Sequence, residues 1–128
     1  EEYIKGRELT VSILGNRTLP IIEIFPNNQY YDYNSKYTIG QCGYKVPAKL
    51  NNAIMKQIIE QSLKLHKVIG CRHYSRVDFR LDNKGNSYVL EINTLPGLTD
   101  TSLFPKSAKY VGISYATLVS KIIELANN

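Results

Sequence analysis

Two neighbouring segments of the sequence carry side chains that can bind a hard metal ion. From Tyr74 to Leu81 apolar and polar residues alternate, as in a half-buried strand, and a similar alternation returns from Ser87 to Ile92. A polar loop, residues 82–86, joins the two segments and predicts a hairpin. If both apolar faces meet one core, the register follows. It places Leu81 opposite Tyr88, Phe79 opposite Leu90, Val77 opposite Ile92, Asp78 opposite Glu91 and Arg76 opposite Asn93.

The predicted register puts the carboxylates of Asp78 and Glu91 side by side on one face of the hairpin. Like charges at directly opposed positions destabilise a sheet unless a cation lies between them. Carboxylate and amide oxygens, here with Asn93 beside them, suit Mg²⁺, which proteins usually hold with one or two carboxylates and substrate phosphates. The pattern therefore favours a nucleotide site. It is equally compatible with a surface ladder in which Arg76 and Arg80 neutralise the two acids.

Other common routes to phosphate or metal binding are missing from the sequence. It contains neither GxxxxGK[ST] nor GxGxxG, so a nucleotide would need another fold than the P-loop or the dinucleotide-binding turn. Cys42 and Cys71 are far apart, and their spacing to His66 and His73 is not that of a zinc finger. Two free thiols suit a reducing, cytosolic compartment.

Turn and cap signals predict the elements that position these side chains. Alternating apolar residues from Leu9, a Gly-Asn turn at 15–16 and a β-branched stretch ending at Phe25 predict a first hairpin. Residues 26–47 carry five tyrosines and little periodicity, and so long a connection predicts a lid or binding loop. Helices are predicted at three places: from Pro47 to about Gly70, around Pro105 to Tyr110 with Thr101 or Ser102 as the cap, and from a Ser114 cap to Ala126.

Length and composition favour one soluble globular domain. The 128 residues can bury a core unaided, and 43% hydrophobic with 21% charged residues is ordinary for a soluble protein. The apolar runs are too short to cross a bilayer. Sixteen Lys and Arg against eleven Asp and Glu give a net charge of +5, but the basic residues are spread singly, which argues against nucleic acid. The chain begins at Glu1 rather than Met, and we interpret it as a fragment.

Several short motifs, taken in chain order, resemble those of a known enzyme family. Arg76-Val77-Asp78-Phe79 and the run from Glu91 to Thr99 resemble the metal-binding and catalytic core of ATP-grasp ligases. Three further motifs resemble those of D-alanine–D-alanine ligases: residues 1–8, Tyr31-Asp32-Tyr33 with Lys36-Tyr37, and Thr101-Ser102-Leu103 with Pro105-Lys106. The resemblance covers essentially the whole chain. It implies an α+β fold, with residues 1–128 as a C-terminal ATP-grasp catalytic domain whose mainly antiparallel sheet is flanked by helices and carries a long lid loop.

The resemblance also implies a role for each matching residue. ATP would contact Glu1, Tyr3, Ile4, Glu8 and Lys36; two Mg²⁺ or Mn²⁺ ions would be bound by Asp78, Glu91 and Asn93; catalysis would use Arg76, Gly97, Lys36 and Tyr37; and Ser102 with Leu103 would hold the second substrate. Arg76 and the Gly97 N–H would stabilise an oxyanion. Each role has a simpler alternative: a surface acid for Glu1 and Glu8, a turn glycine at 97, a plain helix cap at Ser102, and a protein-contact surface for the tyrosine-rich loop.

The activity implied by the resemblance is ATP-dependent synthesis of D-alanyl-D-alanine through an acyl phosphate, for peptidoglycan precursors. The implied partners are ATP and D-alanine, with no nucleic acid and no membrane, and the full-length enzyme would be a cytoplasmic homodimer. The family's N-terminal and central domains are not in this chain, so we expect it to be inactive alone. The alternatives are a D-alanine–D-lactate ligase, which usually lacks the Lys-Tyr pair of the lid, another ATP-grasp carboxylate–amine ligase, and a non-catalytic nucleotide-binding fragment.

Overall fold

An antiparallel sheet with three helices makes up the described part of the chain. The computed structural model describes residues 2–26 and 43–127. The strands are β1 (Gly6–Leu14), β2 (Arg17–Thr18), β3 (Ile22–Phe25), β4 (Gly43–Lys45), β5 (Tyr74–Asp82) and β6 (Ser87–Asn93). The helices are α1 (Asn52–Ile69), α2 (Leu103–Tyr110) and α3 (Tyr115–Ala126). The order across the sheet is β4-β3-β1-β5-β6, with β2 paired to the end of β1. The predicted α+β architecture is confirmed.

The central strands β1 and β5 give the sheet two chemically different faces. On one face, the odd-numbered apolar residues of β1 lie beside those of β5, for example Leu9 beside Phe79 and Val11 beside Val77. This face is fully buried against Ile58 of α1, and it forms the main hydrophobic core. The other face is polar because alternation turns the even-numbered residues of both strands to it. It carries Glu8, Thr10 and Ser12 of β1 and Arg76, Asp78 and Arg80 of β5.

The register of the β5–β6 hairpin is confirmed at the end that carries the polar side chains. The pairs there are Arg76 with Asn93, Val77 with Ile92 and Asp78 with Glu91. These three pairs include every residue that the sequence places in the candidate metal site. Asp78 and Glu91 therefore lie opposite each other.

The predicted register is wrong beyond Asp78. A bulge follows in which Leu90 has no opposite residue, so Phe79 pairs with Val89 rather than Leu90, and Leu81 pairs with Ser87 rather than Tyr88. The prediction assumed that one core buries the apolar face of both strands. β6 is instead an edge strand, and Val89 and Leu90 are 44% and 40% exposed. Because this edge strand is little buried, an extra residue in it displaces no packed side chain, and the bulge costs little.

Helix α1 begins later than predicted, because Asn51 rather than Pro47 marks its start. The Asn51 side chain accepts the N–H of Ile54 at 2.9 Å, which satisfies one of the free donors of the first turn. Pro47 precedes the helix and follows a cis peptide bond. The predicted end is confirmed: Gly70 caps α1 at φ 88°, a left-handed conformation that costs glycine little.

Helices α2 and α3 form a second core at the Leu14 end of the polar face. Phe104 of α2 and Leu118 of α3 are fully buried in this cluster with Leu14. The Phe104 ring meets Tyr74 edge to face, with 5.8 Å between ring centroids. The Ser107 hydroxyl donates to the Pro20 carbonyl at 2.6 Å and ties α2 to the segment before β3. These contacts place the start of α2 beside the polar face.

The remaining predictions for this part of the fold have mixed outcomes. Ser114 caps α3 as predicted, since its Oγ accepts the Thr117 N–H at 3.2 Å. Ser102 occupies the cap position of α2, but its side chain makes no capping bond. Most of the predicted lid, residues 26–47, lies outside the described residues, and its last part forms β4 on β3. Among the described helices, none combines the length and apolarity that a membrane span needs.

Candidate active site

Asp78 is the centre of a hydrogen-bond network on the polar face. Two nitrogens of the Arg76 guanidinium donate to this carboxylate: Nε to Oδ1 at 3.0 Å and Nη2 to Oδ2 at 3.1 Å. The buried Thr10 hydroxyl donates to Oδ1 at 2.7 Å, and the Asn93 amide donates to Oδ2 at 3.4 Å. The Arg76 and Asp78 side chains are only 22% and 17% exposed. Neighbours on three strands therefore hold the carboxylate in one orientation.

Glu91 lies opposite Asp78 but has no positive partner among the described residues. In the surface-ladder alternative, in which arginines neutralise the two acids, Arg80 would be the partner of Glu91. The bulge instead pairs Arg80 with Tyr88, and the Arg80 guanidinium lies 5.4 Å from the centre of the Tyr3 ring. One of the two carboxylates thus keeps an uncompensated charge. This half of the surface-ladder alternative is wrong, and a cation at Glu91 would relieve the repulsion.

The donor set on this face fits a hard divalent ion completed by a substrate. Within residues 2–26 and 43–127, no three His, Cys, Asp or Glu side chains lie close enough to form a metal site by themselves. Asp78 and Glu91 contribute two carboxylates, and the Asn93 amide adds an oxygen. Mg²⁺ is usually bound by one or two carboxylates together with substrate phosphates rather than by a full protein cage. These three residues therefore suit Mg²⁺ or Mn²⁺ only when a phosphate supplies further ligands.

Three of the residues assigned to the nucleotide lie in the described part of the chain: Glu8 in β1, and Tyr3 and Ile4 just before it. Glu8 shares the polar face with Thr10 and pairs with Arg80 of β5. Ile4 is half-buried, and Tyr3 is 75% exposed with its ring against Arg80. The sheet brings Glu8 to the same face as Asp78, two positions along β1 from Thr10. Glu1, Lys36 and Tyr37 lie outside the described residues.

The loop after β6 brings Gly97 and Ser102 together. A Cβ atom at Gly97 would lie 3.0 Å from Ser102 Oγ, so a larger residue at this position would push the serine away. Ser102 Oγ accepts the Thr99 N–H at 3.2 Å and shares a hydrogen bond with Thr99 Oγ1 at 2.6 Å. Because Ser102 does not cap α2, the first N–H groups of the helix, those of Leu103 and Phe104, have no acceptor among the described residues. Such free donors and the helix dipole attract a carboxylate.

Three residues of this region were missed by the sequence reasoning. Thr10 supports Asp78, Thr99 supports Ser102, and the Tyr115 hydroxyl donates to the Leu98 carbonyl at 2.5 Å. The position of Thr10 could have been predicted from the sequence. It lies in a strand between a core leucine and a core valine, so its side chain must point to the opposite face of the sheet. The contacts of Thr99 and Tyr115 could not have been predicted, since both depend on how the loop folds.

Two other charged groups of the chain have structural partners away from Asp78. The pKa of Asp82 is lowered, first by the backbone N–H of Asn86 and further by its side chain and by Lys84 and Tyr88, which close the β5–β6 turn. Arg7 donates two hydrogen bonds to the nearly buried Glu23 of β3, and donating to that carboxylate raises the pKa of Arg7. The carboxylates of Asp82 and Glu23 therefore both have structural roles within the fold.

An antiparallel sheet with this polar face, followed by a glycine loop and a helix with free N–H groups, has the architecture of the C-terminal domain of ATP-grasp ligases. A crystal structure of the D-alanine–D-alanine ligase of Bacillus anthracis complexed with ATP matches it with a TM-score of 0.85 and 36% identity. A second structure of that enzyme matches with the same TM-score and 40% identity. Each covers 99% of this chain, which spans 40% and 42% of those chains.

The family model described as D-ala D-ala ligase C-terminus matches residues 1–124. The chain therefore belongs to the D-alanine–D-alanine ligase family and corresponds to its C-terminal part, as the motifs predicted. The ligase of Carboxydothermus hydrogenoformans is 46% identical over 129 residues, and that of Buchnera aphidicola is 47% identical over 127. These alignments cover 98% and 99% of this chain. The chain spans about two fifths (41%) of the length of both relatives.

Proposed function

We propose that the protein of which this chain forms part joins two D-alanines into D-alanyl-D-alanine, with ATP as the energy source, for peptidoglycan precursors. The observation that carries this proposal is the opposed pair of Asp78 and Glu91, of which only Asp78 is neutralised. That pair lies in a chain that is 46% identical to a relative named D-alanine–D-alanine ligase. Residues 1–128 would be its C-terminal catalytic domain, inactive without the family's N-terminal and central domains.

The polar face would bind the nucleotide and its metal ions. Glu1 would take the adenine amino group, the backbone near Tyr3 and Ile4 the adenine ring, and Glu8 the ribose hydroxyls. Asp78, Glu91 and Asn93 would hold two Mg²⁺ or Mn²⁺ ions, which neutralise the transferring phosphoryl group when bound. Three features support this part of the proposal: Glu8 and Asp78 share a face, Thr10 orients Asp78, and Glu91 carries an uncompensated charge.

The chain's own residues would then stabilise the acyl transfer. The carboxylate of the first D-alanine takes the γ-phosphoryl group of ATP, which gives an acyl phosphate and releases ADP. The amine of the second D-alanine attacks the acyl carbon, loses a proton and expels phosphate. Arg76 and the Gly97 N–H would hold the oxyanion of the tetrahedral intermediate. Lys36 and Tyr37 would close over the phosphates and exclude water, because acyl phosphates hydrolyse readily.

The start of α2 would hold the second D-alanine. Its carboxylate would accept hydrogen bonds from the Ser102 hydroxyl and from the free N–H groups of Leu103 and Phe104. The absence of a capping bond by Ser102 supports this role, because the donors of the first turn stay unused.

The surroundings of the enzyme follow from the same reaction. D-Alanyl-D-alanine synthesis consumes ATP, so we propose a cytoplasmic enzyme with ATP and D-alanine as partners and without nucleic acid or membrane. We propose a homodimer for the full-length enzyme.

A competition experiment tests the proposed function. The full-length protein is supplied with ATP, Mg²⁺ and equal amounts of D-alanine and D-lactate at neutral pH, and the products are resolved by mass. We expect ADP and D-alanyl-D-alanine in excess over D-alanyl-D-lactate. A predominance of the ester would identify a D-alanine–D-lactate ligase. ADP formed only with other carboxylate and amine substrates would identify another ATP-grasp ligase.

A further inference from the structure

We propose that Tyr115 is a positioning residue for the second D-alanine, through a hydrogen bond that orients the peptide unit between Gly97 and Ser102. The inference rests on the proposed function, because it concerns the site assigned there to the acceptor carboxylate. Tyr115 itself touches no reacting atom in this arrangement. It acts by fixing the direction of the Thr99 backbone N–H, which donates a hydrogen bond to the Ser102 hydroxyl oxygen.

Both polar groups of the Leu98–Thr99 peptide unit are held by side chains. The Leu98 carbonyl accepts a hydrogen bond from the Tyr115 hydroxyl at 2.5 Å. The Thr99 N–H donates to Ser102 Oγ at 3.2 Å. A planar peptide unit whose carbonyl and N–H are both bonded cannot rotate without losing one of them. The orientation of the Thr99 N–H therefore depends on Tyr115.

That orientation decides what the Ser102 hydroxyl can do for a ligand. A serine hydroxyl has one proton to donate and two lone pairs. The Thr99 N–H uses one lone pair, and Thr99 Oγ1 lies 2.6 Å away, close enough to donate to the other. When Thr99 Oγ1 is the donor of this bond, the proton of Ser102 is free for a carboxylate at the start of α2. If the peptide unit rotates, the serine loses a donor that keeps its proton directed outward.

The position of Tyr115 is itself well determined. It is the first residue of α3, and Ser114 caps that helix by accepting the Thr117 N–H at 3.2 Å. One turn further, Leu118 is fully buried in the cluster that also contains Phe104 of α2. Tyr115 remains 44% exposed, so the hydrogen bond of its hydroxyl, and not burial, connects it to the loop. The bond thus transmits the packing of α3 against α2 to the loop that carries Gly97.

The variant Tyr115→Phe tests the inference in the full-length enzyme, because it removes the hydroxyl and keeps the ring. Rates at varied D-alanine concentration give separate KM values for the first and second molecules. We expect the KM of the second D-alanine to rise about 5-fold, the loss typical of one hydrogen bond. The KM values of ATP and of the first D-alanine and the kcat should stay within about twofold. Tyr110→Phe is the matched control. Tyr110 is 57% exposed, and its hydroxyl makes no hydrogen bond to a described residue.

A double-mutant cycle with Ser102→Ala distinguishes positioning from a general structural effect. If Tyr115 acts through Ser102, Tyr115→Phe should no longer change the KM of the second D-alanine once the serine hydroxyl is gone. Equal effects of Tyr115→Phe in both backgrounds would overturn the inference. So would an unchanged KM for the second D-alanine in the single variant of an enzyme that makes the dipeptide. A wild-type enzyme that makes no dipeptide would instead contradict the proposed function.

Discussion

At the scale of single residues, Asp78 shows how the fold orients a carboxylate for which we propose a metal-binding role. Arg76, Thr10 and Asn93 all donate to it, so both oxygens are oriented before a ligand arrives. Thr10 is 1% exposed, and its hydroxyl lies 2.7 Å from Asp78 Oδ1, nearer than the Val77 carbonyl at 3.4 Å. A ligand carboxylate that is oriented by a buried hydroxyl binds its metal more tightly than one free to rotate.

We expect Thr10→Val to weaken metal use without unfolding the protein. Valine keeps the β-branched shape but cannot donate to Asp78, and loss of such a supporting bond lowers metal affinity by about 10-fold. The Mg²⁺ concentration at half-maximal ligation by the full-length enzyme should rise accordingly. Thr18→Val on β2 is the control, since Thr18 makes no side-chain hydrogen bond in the described part of the chain. Equal Mg²⁺ requirements in the two variants would contradict this role of Thr10.

Glu91 carries a second prediction at this scale. Its charge has no described positive partner, so we expect Glu91→Gln to remove a proposed metal ligand and to lower the kcat of ligation by about 100-fold or more. Dipeptide and ADP formation by the full-length enzyme measure this effect. Glu60→Gln, on the exposed side of α1, should leave turnover unchanged. Normal turnover by the Glu91 variant would count against the metal assignment.

The two helices that begin near the sheet differ, at the scale of elements, in how their first turns are satisfied. Asn51 caps α1 through the Ile54 N–H, whereas Ser102 bonds to Thr99 and leaves α2 uncapped. A capping side chain contributes about 1 kcal/mol to the free energy of unfolding. A residue at a cap position without the bond contributes far less. The uncapped helix is the one that we assign to the acceptor carboxylate.

This difference predicts opposite consequences for two truncations. Asn51→Ala should lower the free energy of unfolding by about 1 kcal/mol, and Ser102→Ala by only a few tenths of that amount. Denaturant titrations of the intact protein measure both. The Ser102 variant should nevertheless raise the KM of the second D-alanine more than the Asn51 variant does. A larger stability loss at Ser102 than at Asn51 would show that the serine hydroxyl mainly stabilises the loop through Thr99.

At the scale of the whole molecule, His66 joins the long helix to the centre of the sheet. It is 5% exposed, and its Nδ1 lies 2.7 Å from the hydroxyl of the fully buried Ser75 of β5. Burial lowers the pKa of His66, and the Gly15 carbonyl opposes that shift only in part. The folded protein therefore resists protonation of this histidine more than the unfolded chain does.

The sign of the resulting pH dependence follows from linkage. The unfolded chain takes up a proton near the ordinary pKa of 6.5, whereas the folded chain does so only at lower pH. The contribution of His66 to stability is therefore complete above that value and is lost as the pH falls below it towards the lowered pKa. We expect His66→Gln to reduce the slope of unfolding free energy against pH in this window. An unchanged slope in the His66→Gln variant would show that this histidine does not cause the pH dependence.

The sequence alone determined those features of the structure that depend on residues close together in the chain. Strict alternation in β1 and β5 assigned their side chains to two faces, and a glycine that tolerates a left-handed conformation marked the end of α1. The same alternation placed Asp78 opposite Glu91 and predicted the candidate metal site. The motifs around these residues also identified the family. All of this information lies within short stretches of the chain.

Only the tertiary structure decided which partner each side chain chose. Leu90 bulges because β6 is an edge strand, and the sequence does not state which strand lies at the edge. Thr10 reaches Asp78 across 68 positions, and Tyr115 reaches Leu98 across 17. Hydroxyl groups have several acceptors of similar energy nearby, so their choice depends on how whole elements pack. Ser102 illustrates the result: its position indicated a cap, and the loop geometry gave its oxygen to Thr99.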